Sequence, residues 1–141
     1  MIEFIIPGNP VAKGRPRITT ISGSVMAYTP AKTRSYEDSV RLHCLQAVAA
    51  SGGAILGPVA VSITAFIPIP ASWSKKRTSE ANAGIVMPAT RPDIDNYAKA
   101  ILDGMNGAAF SDDAAVVDLM VRKRYSSAPR VHVVVQAAMH P

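Results

Sequence analysis

Arg91-Pro92-Asp93-Ile94-Asp95-Asn96-Tyr97-Ala98-Lys99-Ala100-Ile101-Leu102-Asp103-Gly104-Met105 is the stretch on which the reading of this chain turns. From Ile94, the apolar residues Tyr97, Ala98, Ile101, Leu102 and Met105 return at the spacing of a helix with one buried face. Asp95, Lys99 and Asp103 follow at successive helical turns and form a second row along the border of that stripe. Pro92 disfavours a helical Arg91, and Asp93 offers a short acceptor side chain, so the helix is predicted to begin near Asp93. Gly104 and Gly107 are predicted to end it, within a residue or two.

Downstream, Asp112-Asp113 precedes Val117, Leu119 and Val121, which alternate with Asp118, Met120 and Arg122 in the manner of a half-buried strand. The acidic pair is thus at a strand entrance, and this reading places it beside the Asp93 and Asp95 end of the helix. Three carboxylates drawn to about 4 Å would repel one another by roughly 4 kcal/mol per pair at an effective dielectric near 20, so such a cluster needs a cation or protons. Oxygen ligands with no His or Cys nearby favour a hard ion, Mg²⁺ or Mn²⁺, over zinc.

An Asp-x-Asp pair at a helix start, a lysine one turn on and a further acidic pair are together the parts of metal-assisted phosphodiester cleavage. The ion acidifies a water, and Lys99 answers the charge of the transition state. Each signal alone has a plainer reading: Asp93 as a helix cap, Asp112-Asp113 as a turn, Asp95 with Lys99 as a surface pair. An EF-hand is excluded, because Tyr97 and Ala98 stand where an oxygen ligand and a glycine belong, and Gly104 replaces the bidentate acid. A phosphatase of the Asp-x-Asp kind carries its pair after an apolar strand, whereas Ala89-Thr90-Arg91-Pro92 precedes this one.

The stretch from Arg91 to Lys123 resembles the RusA family of Holliday-junction resolvases. It carries Arg91-Pro92-Asp93-Ile94-Asp95-Asn96, Lys99, Leu102-Asp103, Gly107, Asp112-Asp113 and Val116 in that family's pattern. Looser similarity extends to Pro7-Gly8-Asn9-Pro10, Lys13-Gly14-Arg15-Pro16-Arg17, Tyr28-Thr29-Pro30 and Pro70 to Lys76, in the style of phage-borne members. The resemblance implies a homodimeric, Mg²⁺-dependent endonuclease that resolves four-way DNA junctions by paired nicks in recombination and repair. It carries the metal-binding carboxylates onto Asp93, Asp95 and Asp113, with Asp112 the alternate within its pair, and the catalytic lysine onto Lys99. Residues alone leave two rivals open: a branched-DNA-binding protein without catalysis, and a metal-dependent phosphohydrolase of small substrates.

At 141 residues the chain is expected to be one domain, residues 1–141, able to bury a core of its own. Its net charge is +5, yet six of its ten acids lie between Asp93 and Asp118, which leaves the remainder strongly basic. A basic surface around an acidic pocket suits a polyanion. Lys13, Arg15 and Arg17 form one candidate DNA-contacting patch, and Lys75, Lys76 and Arg77 beside Trp73 form another. Cys44 alone cannot build a disulfide framework within the chain and reads as a buried small hydrophobe. His43, His132 and His140 lie apart from the acids in sequence and read as packing or surface residues. No apolar run reaches membrane-span length and no signal peptide opens the chain, so a cytoplasmic, bacterial or phage-encoded protein is expected.

The remaining elements read as scaffold. Ile2 to Ile6 is a short strand, and Ser22-Gly23-Ser24 is the tip of a hairpin returning at Met26 to Tyr28. Thr33 or Ser35 is expected to cap a helix running to about Ala50, with Tyr36, Val40, Cys44 and Val48 on one face and Gly52-Gly53 as its stop. Val59, Val61, Ile63, Ala65 and Ile67 alternate as a strand. Val131, Val133 and Val135 form a last strand, expected to pair across Ser126 to Pro129 with the strand ending at Tyr125. Ala71 to Ala89 is expected to be a mobile loop over the site. The fold class is α+β: a mixed sheet with two main helices packed against it.

Overall fold

The computed structural model describes residues 1–14 and 17–139. Strand β1 (Ile2–Pro7) leads to a hairpin of β2 (Arg17–Ile21) and β3 (Ser24–Tyr28), then to helix α1 (Ala31–Ser51) and strand β4 (Val59–Pro68). Helices α2 (Lys75–Asn82) and α3 (Ile94–Met105) follow, and strands β5 (Val116–Ser126) and β6 (Arg130–Ala137) close the chain. The main sheet has four strands in the order β1-β6-β4-β5, antiparallel except for the parallel β4–β5 pair. This is the α+β arrangement expected, with α1 and α3 as the two main helices packed on the sheet and, among the described residues, the short α2 in addition.

Alternation fixes the sheet's inner face. Ile2, Phe4 and Ile6 of β1, Val131, Val133 and Val135 of β6, and Val59, Val61, Ile63 and Ala65 of β4 are all buried in one cluster with the apolar stripes of α1 and α3. Each fully buried Val or Ile contributes about 1.5–3 kcal/mol relative to exposure, so this layer dominates the stability of the fold. Its shape also corrects one expectation: β6 pairs with β1 and β4, and not with β5. The reason is burial. The inward valines of β6 are fully covered and need neighbours on both sides, whereas Val117 and Leu119 of β5 are about half exposed and suit an edge.

Helix α1 begins at Ala31, ahead of the caps expected at Thr33 or Ser35. Pro30 precedes it with φ −54°, and Thr33 is buried with its hydroxyl accepting the Gly14 N–H at 3.1 Å. At the other end Gly52 closes the helix in the left-handed region, as expected of Gly52-Gly53. Helix α3 buries Tyr97, Ala98, Ala100, Ile101, Gly104 and Met105, while Ile94 at its start is exposed. The helix ends at Met105, within the residue or two expected of Gly104 and Gly107, with Gly107 just beyond at φ 76° and Gly104 itself inside the last turn. A Cβ there would stand 2.7 Å from two carbons of Val40, so α1 and α3 meet where only a hydrogen fits. Arg41 of α1 donates to the Asn106 carbonyl at 2.8 Å, satisfying one of the acceptors that the end of α3 leaves free.

Within 71–89, expected to be a loop, Lys75–Asn82 is the helix α2. It buries only Ala81, so no apolar stripe announces it. Local chemistry makes it instead: the Ser74 hydroxyl accepts the Arg77 N–H at 3.2 Å, and Asn82 donates to Ser127 Oγ at 2.7 Å while accepting the Ser127 N–H at 2.9 Å. The hairpin forms a sheet of its own, turning at Ser22 and Gly23 with φ 51° and 80°, the signs of a two-residue turn of the type I′ class.

Candidate active site

Two elements carry the acidic residues, and they run in opposite directions. Lys123, well along β5, donates from Nζ to the carbonyls of Thr90 at 2.7 Å and Pro92 at 3.0 Å, just before α3 begins. The start of β5 therefore lies toward the later turns of α3. Asp113, expected beside Asp93 and Asp95, has Asp103 and Lys99 as its charged neighbours on the helix instead.

Asp93 takes the capping position of α3, with φ −68° and ψ 150°, but its side chain makes no capping hydrogen bond. Asp95 follows in the first turn, where a carboxylate is favoured by the helix dipole. Both are exposed, and among the described residues neither has a cationic partner within salt-bridge distance. The ordinary capping explanation for Asp93 is thus not used by the chain.

Lys99 lies one turn further on. Its Nζ donates to Asp103 Oδ1 at 2.8 Å, and the other oxygen of Asp103 faces Lys13 Nζ at 3.1 Å. Lys13 also donates to Glu37 Oε1 at 2.5 Å. The Asp103 hydrogen bond lifts the Lys99 ammonium above its ordinary pKa, outweighing partial burial. Burial would push the Asp103 carboxyl up, but the bonds from Lys99 and Lys13 hold it below the usual carboxylate range.

The two acids at the strand entrance have divided roles. Asp112 Oδ2 accepts the Ala114 N–H at 3.1 Å and so caps the short 3₁₀ turn Asp113–Ala115. Asp113 is half-buried, and its Oδ1 is shielded from water with no hydrogen-bond partner. Burial first, and then the Asp103 carboxylate, push the Asp113 carboxyl above its ordinary range, with Lys99 opposing them.

These donors fit a hard cation in chemistry: an oxygen-only set, one member of which has a buried oxygen that no protein donor satisfies. They are not gathered around one point. Among the described residues no three His, Cys, Asp or Glu side chains form a metal-holding group. Drawn to about 4 Å, the carboxylates would repel by about 4 kcal/mol per pair, so gathering them calls for a cation.

Of the residues expected on DNA, Lys75, Lys76 and Arg77 are exposed in the first turn of α2. Arg77 stacks over the Trp73 ring at 3.7 Å, and Trp73 meets Tyr125 of β5 edge-on at 5.1 Å, so the basic turn is fastened to the sheet. Three cations at the positive end of a helix oppose its dipole by about 0.3–1 kcal/mol each. Lys13 is placed differently, in internal ion pairs. Arg17 opens β2, and Arg15 lies outside the described residues.

With this arrangement established, residues 7–136 match the family described as endodeoxyribonuclease RusA. The chain belongs to the RusA family. The match runs from the end of β1 to β6 and includes every candidate site residue, so the site sits within the RusA domain. A similar protein is the uncharacterized protein YqaN of Bacillus subtilis (strain 168), 39% identical over 137 residues, which cover 96% of this chain and 95% of YqaN. Among the described residues no helix is long and apolar enough to cross a membrane.

Sequence reasoning missed two parts of the site. Lys123 fixes the approach to α3, and its signal was a charge in the inward row Val121, Lys123, Tyr125. Glu37 and Lys13 join the α3 charges through a tertiary contact for which no local pattern exists.

Proposed function

We propose that this protein is a Mg²⁺-dependent endonuclease, Mn²⁺ serving as the alternative ion, that resolves four-way DNA junctions by paired nicks. It would act as a homodimer in recombination and repair in the cytoplasm. The observation that carries the reading is the partnerless buried Oδ1 of Asp113, a carboxyl that feels the charge of Lys99 on the helix opened by Asp93 and Asp95. Membership of the RusA family supports the substrate class.

Asp93, Asp95 and Asp113 would hold the ion, with Asp112 kept for its cap. A divalent cation on such oxygens supplies acidity to a water and neutralises phosphate charge. Lys99 lends a point charge where negative charge grows on the phosphate, and Asp103 keeps that ammonium charged and aimed. Lys75, Lys76 and Arg77 draw the polyanion toward this edge, and Arg15 and Arg17 would add phosphate contacts. Two opposed strands call for two equivalent sites, which a two-fold dimer provides.

One observation favours a rival, a branched-DNA binder that does not cut: Asp93 and Asp95 stand apart from Asp113. A labelled four-way junction incubated with the protein and Mg²⁺ separates the two. Paired nicks that vanish with chelator are expected; a gel shift without cleavage would sink the nuclease reading.

A further inference from the structure

Resting on the nuclease reading, we propose that Asp103, gripped from behind by Lys13, is the positioning residue for Lys99 and keeps the Lys99 ammonium from closing onto Asp113.

The network is graded from inside to outside. Lys13 and Asp103 are 18% and 20% exposed in their side chains, whereas Lys99 is 57% exposed. Lys13 is itself held three ways: by Glu37 of α1, by Asp103 of α3, and by its own N–H on the Asn96 carbonyl at 2.8 Å. Asp103 thus presents one fixed oxygen to a lysine that is otherwise free on a long stem. Two cations and two carboxylates balance, so the four charges stabilise one another without drawing on Asp113.

A plain helix-surface pair does not account for this arrangement. Lysine ahead of the acid is the weaker order for pairs one turn apart, and exposed pairs contribute little. What the tertiary grip adds is direction. Without Asp103, Lys99 is left with two carboxylates to turn to: Asp95, one turn back on α3 and without a cation among the described residues, and Asp113, whose Oδ1 has no partner and whose carboxyl already feels the Lys99 charge. A direct Lys99–Asp113 bond would occupy the oxygen that the proposed ion needs and pull the ammonium away from a bound phosphate. Asp103 therefore keeps two functional groups separate as well as aligned.

The test compares Asp103→Asn, Lys13→Met, Lys99→Ala and the Lys99→Ala/Asp103→Asn double variant by single-turnover nicking of a four-way junction in Mg²⁺, with junction affinity and melting temperature measured in parallel. Asp103→Asn is expected to slow nicking by about 10- to 100-fold at unchanged affinity, as losses behind a functional group do. Lys13→Met is expected to follow it with a smaller loss. In the Lys99→Ala background, Asp103→Asn should change the rate by less than about twofold, because a residue acting only through Lys99 has nothing left to position. A crystal structure of Asp103→Asn should show Nζ moved onto Asp113. Full nicking by Asp103→Asn, an additive loss in the double variant, or Lys99 unmoved in that crystal structure would each overturn the inference. Failure of the nuclease reading shows separately, as a wild-type protein that leaves the junction whole.

Discussion

The first turn of α3 and the turn around Asp103 carry the same kinds of side chain and treat them in opposite ways. At Asp93 and Asp95 the carboxylates face solvent with no cation beside them among the described residues. At Asp103 each oxygen has its own lysine, one of which is fixed by Glu37 from another helix. Where the chain answers its own charges, geometry is set on folding; where it does not, the answer has to come from outside. Asp113 lies between these cases, near Lys99 yet with an oxygen that nothing satisfies.

The sharpest way to break this comparison is to neutralise the unanswered end. Asp95→Asn is expected to lower Mg²⁺-dependent nicking by at least about 100-fold, the scale seen when a group that stabilises a transition state is removed. Junction binding in a gel should stay largely intact. Cleavage at the wild-type rate by this variant would remove Asp95 from the chemistry.

The answered end is broken through packing. Gly104→Ala places a methyl 2.7 Å from Val40, and 3.0 Å from the Glu37 carbonyl, so α1 and α3 must separate. Overpacking of this kind costs about 1–3 kcal/mol, and the helix preference for Ala over Gly returns at most about 1 kcal/mol of it. Denaturant unfolding should show a net loss, and a stabilised protein would mean that the helices yield freely at this contact.

The smallest effect sharpens the case of Asp113. Its carboxyl is raised above the ordinary 3.8 by burial, so the folded chain holds this proton more tightly than the unfolded chain does. Ionisation therefore costs stability, and that cost appears as pH climbs past the unfolded value. Without divalent ions, Asp113→Asn should melt a few degrees higher than wild type at about pH 7 and no differently at about pH 3. Calorimetry at the two pH values checks it, and a variant less stable at neutral pH would show that the ionised group is satisfied after all.

Much of the scaffold is legible in the sequence, because it rests on local periodicity. The stripe Tyr97, Ala98, Ile101, Met105 and the alternation in β4 and β6 each record which side of an element is buried. What escapes such a reading is set by partners remote in the chain. Strand β6 takes the centre of the sheet because its valines need cover on both sides, which its own pattern records, but its neighbours do not follow from adjacency. Helix α2 has no apolar stripe and stands on Ser74, Asn82 and the stacked Trp73. Lys13 has the pattern of a surface cation, and only folding brings Glu37 and Asp103 to it. The candidate chemistry is visible in residue types and spacing, while the end of α3 that Asp113 approaches depends on the direction of β5.

The hairpin of β2 and β3 stands in a sheet of its own, with Ile18 and Val25 each 73% exposed. A ribbon of two strands with so little apolar cover is marginal alone, so its amides should exchange with solvent long before those of β4 or β6. The chain is secured on either side of it, by Gly14 on Thr33 before and by α1 after. A protease cutting between Ser22 and Gly23 would then leave the two fragments bound together in one folded particle, a natural place to divide the molecule for complementation.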